Sequence, residues 1–192
     1  MIIFKDTTNA GTNWSIYHKS IGAGYRLTLN DTSAQQGPDS TYYQNTDPSS
    51  SLIYLGSNTR ANASSAVTIA YCFAEKKGFS KFGSYVGNGS TDGTFIYTGF
   101  KPAMIITKQS SSAGNNWWLM DNKRIGYNVN NYYLLPSSAA VEATTGYHDF
   151  LSNGFKIRDS QSGINASGST YIYMAFAENP LVGTNNIPAT AR

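Results

Sequence analysis

Short hydrophobic runs that alternate with polar positions occur along the whole chain, and this pattern predicts strands. The runs are rich in Ile, Val, Tyr, Phe and Thr, and Gly, Asn, Asp and Pro separate them. One stretch, residues 137–146, has a composition that favours a helix of one or two turns. Strands are predicted at residues 2–5, 14–18, 25–29, 52–55, 67–74, 83–87, 95–100, 104–108, 117–120, 154–158 and 171–177. Many short strands without intervening helices are typical of an all-β antiparallel sandwich.

The pattern occurs twice along the chain, at a constant offset of 103 residues (104 − 1 = 103). The matched pairs include Met1 and Met104, Trp14 and Trp117, Asn62 and Asn165, and Glu75 and Glu178. This period is longer than the roughly 20–50 residues of solenoid repeats, so each copy should have its own core. The sequence therefore predicts two tandem antiparallel β-sandwich modules. They comprise residues 1–79 (the first copy) and residues 80–192 (the second copy, with a C-terminal tail).

The repeat also predicts which side chains face inward. Trp14 and Trp117 match each other, as do Phe73 and Phe176, so we assign all four to the structural core. The position after the tryptophan holds serine in the first copy and Trp118 in the second. Because side chains alternate across a strand, this variable position is predicted to face outward.

The second copy begins with a segment that the first copy lacks. Residues 82–103 are predicted to form a hairpin, and nothing equivalent precedes Met1. The first sheet is therefore expected to lack about two strands and to have an open edge. Two explanations remain open at this stage: another subunit completes the first copy, or the chain is the C-terminal part of a longer polypeptide.

Composition and charge exclude several classes of function. The chain has 192 residues, of which 13% are charged, and a net charge of +3. No basic run is longer than two residues, as at Lys76-Lys77, so we expect no nucleic-acid partner. No apolar stretch approaches the roughly 18 residues of a membrane span, so we expect no membrane insertion. The single cysteine, Cys72, is predicted to be a small buried thiol because its counterpart is Ala175.

Motifs for metal, cofactor or catalytic chemistry are not found in the sequence. His18 and His148 are too scattered for a metal site, and the glycine-rich residues 87–93 lack the lysine of a phosphate loop. We therefore expect no cofactor and no metal, and assign no catalytic residues. Glycan hydrolysis commonly needs two carboxylates roughly 5–10 Å apart. The candidates for such a pair are Asp121, Glu142, Asp149, Asp159 and Glu178.

Aromatic side chains are the strongest indication of a binding function. There are 14 Tyr and three Trp residues. An outward Trp118 beside Met120 would form a contact surface, the alternative being burial under a loop or a neighbouring subunit. Tyr132 and Tyr133 lie in a loop with Asn128, Asn130 and Asn131, and such polar-aromatic loops are typical of sugar-binding sites. These four residues, Trp118, Met120, Tyr132 and Tyr133, are the predicted ligand-binding residues.

The second copy contains four distinctive segments, which are FGSYVGNGSTDGTFIYTGFKPAMIITK, NWWLMDNKR, LSNGFKIRD and NASGSTYIYMAFAENP. Together they resemble a module at the C-terminal ends of bacteriophage tail-fibre-like or lectin-like virion structural proteins. The resemblance covers residues 82–180 and is weaker over residues 1–79. It implies a jelly-roll or concanavalin-like β-sandwich and a location on the outside of a virion, in a tail fibre or on the capsid.

The resemblance also implies a non-enzymatic function, which is recognition of host-surface glycans by a tail fibre or receptor-binding module. The expected partners are a host-surface glycan, other virion proteins and copies of the chain itself, with a homotrimer implied by the fibre class. A capsid or tail decoration or adaptor protein is the first alternative, and a glycan depolymerase is the second.

Overall fold

The structure, a computed structural model, describes residues 1–124, 128 and 130–179, so the C-terminal tail of the second copy lies outside the described residues. The strands are β1 (Ile2–Asp6), β2 (Ser15–Tyr17), β3 (Leu27–Thr28), β4 (Thr68–Cys72), β5 (Ser80–Val86), β6 (Phe95–Tyr97), β7 (Pro102–Gln109), β8 (Trp118–Asp121), β9 (His148–Leu151), β10 (Gly154–Ile157) and β11 (Thr170–Ala177). Three single-turn helices are α1 (Ser40–Tyr43), α2 (Thr59–Asn62) and α3 (Ser162–Asn165).

The strands form three antiparallel sheets, so the predicted all-β class is confirmed. The first sheet has the order β3-β2-β1-β4 and the second has the order β5-β11-β7-β8. The third sheet has the order β6-β10-β9. In the second sheet, β11 pairs with β5 on one side and with β7 on the other.

The second and third sheets pack face to face around an apolar core. Aromatic side chains of both sheets fill it, including Tyr85, Tyr171 and Phe155. The rings of Tyr85 and Tyr171 stack with their centroids 4.9 Å apart. This arrangement is a β-sandwich, in which alternate side chains of each strand enter the core.

The opposite face of the second sheet packs against the first sheet. The cluster between them combines Ile16 and Leu27 of the first sheet with Phe82, Ile172 and Met174 of the second. The other face of the first sheet is covered by residues 40–62 rather than by a sheet, and its cluster includes Tyr42 and Tyr43 of α1. The second sheet is therefore buried on both faces.

Elements of the first copy and elements of the second copy that match in sequence occupy equivalent positions in the first and second sheets. Strand order β2-β1-β4 in the first sheet matches β8-β7-β11 in the second, and α2 matches α3, all at the offset of 103 residues. A side-chain contact repeats as well: Lys5 Nζ donates to the Thr12 carbonyl, and Lys108 Nζ donates to the Asn115 carbonyl at 2.9 Å. The boundary between residues 79 and 80 stays a prediction, because the cluster between the sheets contains residues of both copies.

Several local predictions are wrong. Residues 52–55 form no strand and residues 137–146 form no helix. Residues 82–103 are not a hairpin, since β5 pairs with β11 while β6 pairs with β10 in another sheet. Strand β9 was not predicted, because His148 and Asp149 dilute its apolar pattern. Cys72 is exposed rather than buried, because β4 ends its sheet.

Candidate ligand-binding surface

The predicted outward orientation of Trp118 is wrong. Its side chain is 6% exposed, and its ring stacks on Tyr133 with centroids 4.0 Å apart. Met120 and Tyr133 are also buried, and Tyr132 is half-buried. The alternation along β8 is as expected, but the second sheet has a neighbour on each face, so neither face of β8 meets solvent.

The loop around Tyr132 uses its asparagines for backbone hydrogen bonds. Asn130 donates to the Asp121 carbonyl at 2.8 Å, and Asn128 donates to the Phe150 carbonyl at 3.1 Å. Asn131 donates to the Thr144 carbonyl at 3.3 Å. These amides hold the loop against β8, β9 and Thr144, so their NH2 groups are engaged rather than presented to a ligand.

The four predicted core residues differ in burial. Trp117 is fully buried, and its Nε1 donates to the Thr28 carbonyl at 2.8 Å. Phe73 and Phe176 are partly buried and pack edge to face between the first and second sheets. Trp14 is partly buried at the edge of that interface, stacked on Tyr71.

Exposed aromatic rings occur instead on the outer face of the third sheet. Phe95 and Tyr97 lie two residues apart on β6, so both point outward while Ile96 between them enters the core. They are 43% and 59% exposed. Gly154 lies opposite Tyr97 on β10, and a Cβ there would be 3.0 Å from the Phe95 ring. The glycine therefore leaves room for that ring to lie close to the sheet.

Basic side chains surround this aromatic pair on the side of β5. Lys81 Nζ lies 5.1 Å from the centroid of the Tyr97 ring and donates to the Tyr97 carbonyl at 2.8 Å. Beside it is a cavity of about 330 Å³, lined in part by Lys76, Lys77 and Tyr97. Three ammonium groups, one aromatic ring and the Glu75 carboxylate thus line one opening. Because Glu75 is paired with Lys19, the excess of positive charge suits an anionic ligand with an apolar face.

A charged network borders the pair on the other side. Lys156 Nζ lies 2.6 Å from Asp92 Oδ1, and Arg158 contacts both Asp92 and Asp149. The hydrogen bond from Lys156 lowers the pKa of Asp92. We name Phe95, Tyr97, Lys81, Lys156 and the lysines of the cavity the aromatic–basic surface.

Sequence reasoning missed this surface although a signal for it exists. The run TFIYTG places two aromatic residues on one side of an isoleucine. Period-2 alternation separates Phe95 and Tyr97 from Ile96, but it does not say which side faces solvent. That decision depends on which other sheet packs against β6.

The candidate carboxylates for glycan hydrolysis are occupied by other contacts. Arg124 forms ion pairs with both Asp121 and Glu142, and Arg158 pairs with Asp149. Asp159 accepts a hydrogen bond from the Gln161 amide at 2.9 Å. Lys123 pairs with Glu178 and its hydrogen bond lowers the pKa of that carboxyl, whereas a general acid needs a raised pKa.

The two histidines are fully buried and do not belong to this surface. His18 Nε2 lies 3.1 Å from the Tyr173 carbonyl, and His148 Nδ1 lies 3.0 Å from the Gly146 carbonyl. Burial lowers the pKa of each to about 4. Within residues 1–124, 128 and 130–179, no group of three His, Cys, Asp or Glu side chains is placed to hold a metal ion. No helix in the same residues is long and apolar enough to cross a membrane.

Comparison with protein families gives one match, which extends over residues 1–180 and is described as a domain of unknown function, DUF7483. The chain belongs to this family. A single family model thus spans both copies of the repeat, with the first, second and third sheets all inside the DUF7483 region. No curated protein and no solved structure matched the chain.

Proposed function

We propose that this DUF7483 chain is a structural protein of a bacteriophage virion that recognises an anionic host-surface glycan. The observation that carries the proposal is the aromatic–basic surface. A sugar ring packs its C–H face on an aromatic ring while its hydroxyls bond to nearby polar groups. Tyr97 and Phe95 offer such rings, and Lys81 and the cavity lysines offer donors for a carboxylate or phosphate.

The resemblance of residues 82–180 to tail-fibre-like and lectin-like modules supports the same proposal. Both exposed rings lie inside the segment that carries this resemblance. The proposed binding site is the outer face of the third sheet, and not Trp118 and Met120 as predicted from the sequence. Assembly into a homo-oligomer, including the trimer that fibre proteins form, belongs to the proposal as its quaternary part.

A glycan and lipopolysaccharide array probed with the labelled chain tests the proposal. We expect saturable binding that weakens as salt rises, since lysine charges contribute. Tyr97→Ala should weaken binding by about tenfold, the loss of one stacking contact worth roughly 1.4 kcal/mol. Tyr71→Ala is the matched control, because Tyr71 is a comparably exposed tyrosine on the first sheet.

Lys81→Gln distinguishes the contribution of the lysine charge from that of the aromatic rings, because it removes the charge and leaves the Tyr97 ring in place. It should reduce binding to acidic glycans more than binding to neutral ones. Binding that Tyr97→Ala leaves unchanged would contradict the site. No saturable binding at any salt concentration would contradict glycan recognition. Release of reducing ends from a bound glycan would favour the depolymerase.

A decoration or adaptor protein is the second candidate function, and the open edge of β4 favours it. Strand β4 is the last strand of the first sheet. An adaptor joins chains through such an unpaired surface, whereas the aromatic–basic surface lies on the third sheet. The two functions therefore use different parts of the molecule and are compatible.

A further inference from the structure

The free edge of β4 exposes backbone hydrogen-bonding groups. The Phe73 amide donates to the Met1 carbonyl, the Met1 amino group donates to the Phe73 carbonyl, and the Thr7 amide donates to the Val67 carbonyl. The backbone groups of the odd-numbered residues between 67 and 73 thus form the hydrogen bonds to β1. Because pairing alternates along an antiparallel strand, the groups of Thr68, Ala70 and Cys72 point away from β1.

The matching strand of the second copy has a partner at that edge. Strand β5 pairs with β11 over seven positions, from Val86 opposite Thr170 to Ser80 opposite Phe176. At the offset of 103 residues, the same strand would lie opposite residues 67–73. Nothing among the described residues fills this place, because β4 has β1 as its single neighbour.

Apolar side chains next to the free edge are exposed where their counterparts are buried. Ile69 is 42% exposed, whereas Ile172 is 1% exposed in the cluster between the first and second sheets, to which Phe82 of β5 also belongs. Leu52 is 57% exposed, whereas its counterpart Phe155 is fully buried, with Tyr85 of β5 packed edge-on against its ring and Ile96 of β6 beside it in the third sheet. The exposed set therefore marks the places of two strands, one like β5 and one like β6.

An asparagine shows the same difference at the connection between those strands. Asn165 donates to the Asp159 carbonyl, and it also bonds Asn88 and the Ser90 carbonyl in the loop from β5 to β6. Its counterpart Asn62 donates to the Gly56 carbonyl, which matches Asp159, at 2.8 Å. Asn62 is exposed, and among the described residues the loop that Asn165 holds has no counterpart beside it.

A cavity of about 440 Å³ lies beside the edge. Cys72, Ile2 and Tyr17 line it from the first sheet, and residues 48–53 line it from the covering segment. Leu52, Ile53 and Ile2 give the cavity an apolar part, and Lys19 and residues 49–51 give it a polar part. A side-chain pocket beside an open ladder edge suits strand addition, in which main-chain bonds give affinity and pockets select side chains.

We propose that β4 is an acceptor for a strand–loop–strand segment supplied by another polypeptide chain. The donor has the chemistry of residues 80–97. Its first strand pairs antiparallel to β4, with an aromatic residue opposite Tyr71, as Phe82 lies opposite Met174. A second aromatic residue, at the place of Tyr85, covers Leu52. The loop accepts a hydrogen bond from Asn62, and the second strand covers residues 52 and 53.

Pairing of β4 with β4 of a second copy satisfies fewer of these features. Such a pair would occupy the groups of Thr68, Ala70 and Cys72 by twofold symmetry about Ala70. It would bring no second strand over Leu52 and no loop to Asn62. The inference is independent of glycan recognition, since none of these residues belongs to the aromatic–basic surface.

The test uses the full chain and a synthetic peptide with the sequence of residues 80–97, with a scrambled peptide as control. We expect saturable binding of the first peptide alone. Ala70→Pro removes one outward amide while leaving the bonds to β1, because proline is tolerated on an edge strand. It should weaken binding by about tenfold, the value of one inter-strand hydrogen bond. Ala70→Val keeps the amide and should bind like the natural chain.

Cys72 provides a second readout at the edge itself. It is the single cysteine and is exposed, so a maleimide reports access to β4. The peptide should slow its modification several-fold, and Asn62→Ala should reduce that protection. Equal binding by Ala70→Pro, or no protection of Cys72, would overturn the acceptor. A stable dimer of the chain that Ala70→Pro dissociates would show that a second copy, and not a partner strand, occupies the edge.

Discussion

At the residue scale, identities between the copies mark side chains that bond to the backbone. Lys5 and Lys108 reach the carbonyls of Thr12 and Asn115, which are themselves separated by the offset. Lys108 is fully buried, and it also donates to the Gln109 carbonyl at 3.0 Å. A buried ammonium needs such acceptors, so the lysine and its loop are retained together. The sequence showed the identity, whereas its reason required the distances.

Because His148 is buried, we predict that the folded protein loses stability in acid. The pKa of His148 is about 4 in the folded protein because of burial, below the ordinary 6.5. Its Nε2 has no hydrogen-bond partner among residues 1–124, 128 and 130–179. Below pH 6.5 the unfolded chain binds this proton more readily, so the free energy of unfolding falls from pH 6.5 to pH 4. The loss should reach roughly 3 kcal/mol for this group.

Urea unfolding at a series of pH values measures this effect. His148→Asn places an amide near Nδ1, keeps a donor for the Gly146 carbonyl and does not titrate. Its stability should decline less between pH 6.5 and pH 4. A decline equal to that of the natural chain would assign the acid sensitivity to other groups, and His18→Asn would then be compared.

At the scale of elements, strands were predictable and their environments were not. Ten of the eleven predicted strands contain strand residues in the structure, because β-branched and aromatic runs between turn residues are a local property. The orientation of Trp118 was misassigned because both faces of β8 are covered. This position holds serine in the first copy and tryptophan in the second because the two copies have different layers packed against it. Phe95 and Tyr97 were missed for the same reason, since burial depends on the neighbouring layer.

At the contact between β8 and α3, we predict that the packing around Trp118 leaves no room for a larger residue at position 163. A Cβ at Gly163 would lie 2.6 Å from Trp118 Nε1, so Gly163→Ala should force the ring to move. The expected loss of stability is about 1–3 kcal/mol, as for overpacked cores. Gly24→Ala is the control, because its Cβ would meet no heavy atom closer than 3.6 Å. Thermal unfolding of both variants gives the comparison, and an equal effect would contradict close packing at Gly163.

At the scale of the whole molecule, the first and second sheets share one apolar cluster. Met1, Ile16 and Leu27 of the first copy meet Trp117 and Met174 of the second. The Trp117 hydrogen bond to the Thr28 carbonyl joins the same two copies. Since sheet-to-sheet packing couples them, both copies should unfold in one transition.

Trp117→Ala tests this coupling. The loss of a fully buried tryptophan should cost about 3–5 kcal/mol. Amide exchange should then speed up in β1 as well as in β11, although Trp117 lies in the second copy. Trp14→Ala removes the matching but half-buried ring and should cost less. Retained protection of β1 alongside loss in β11 would show that the copies unfold separately.

The sequence by itself determined the all-β class, most strands and the repeat. These follow from local patterns and from comparing the chain with itself at one offset. The tertiary structure decided which faces are buried, where aromatic rings meet solvent and that β5 and β6 belong to different sheets. Alternation distinguishes two faces of a strand, but burial is set by the layers that pack against each face. Those layers come from residues distant in sequence.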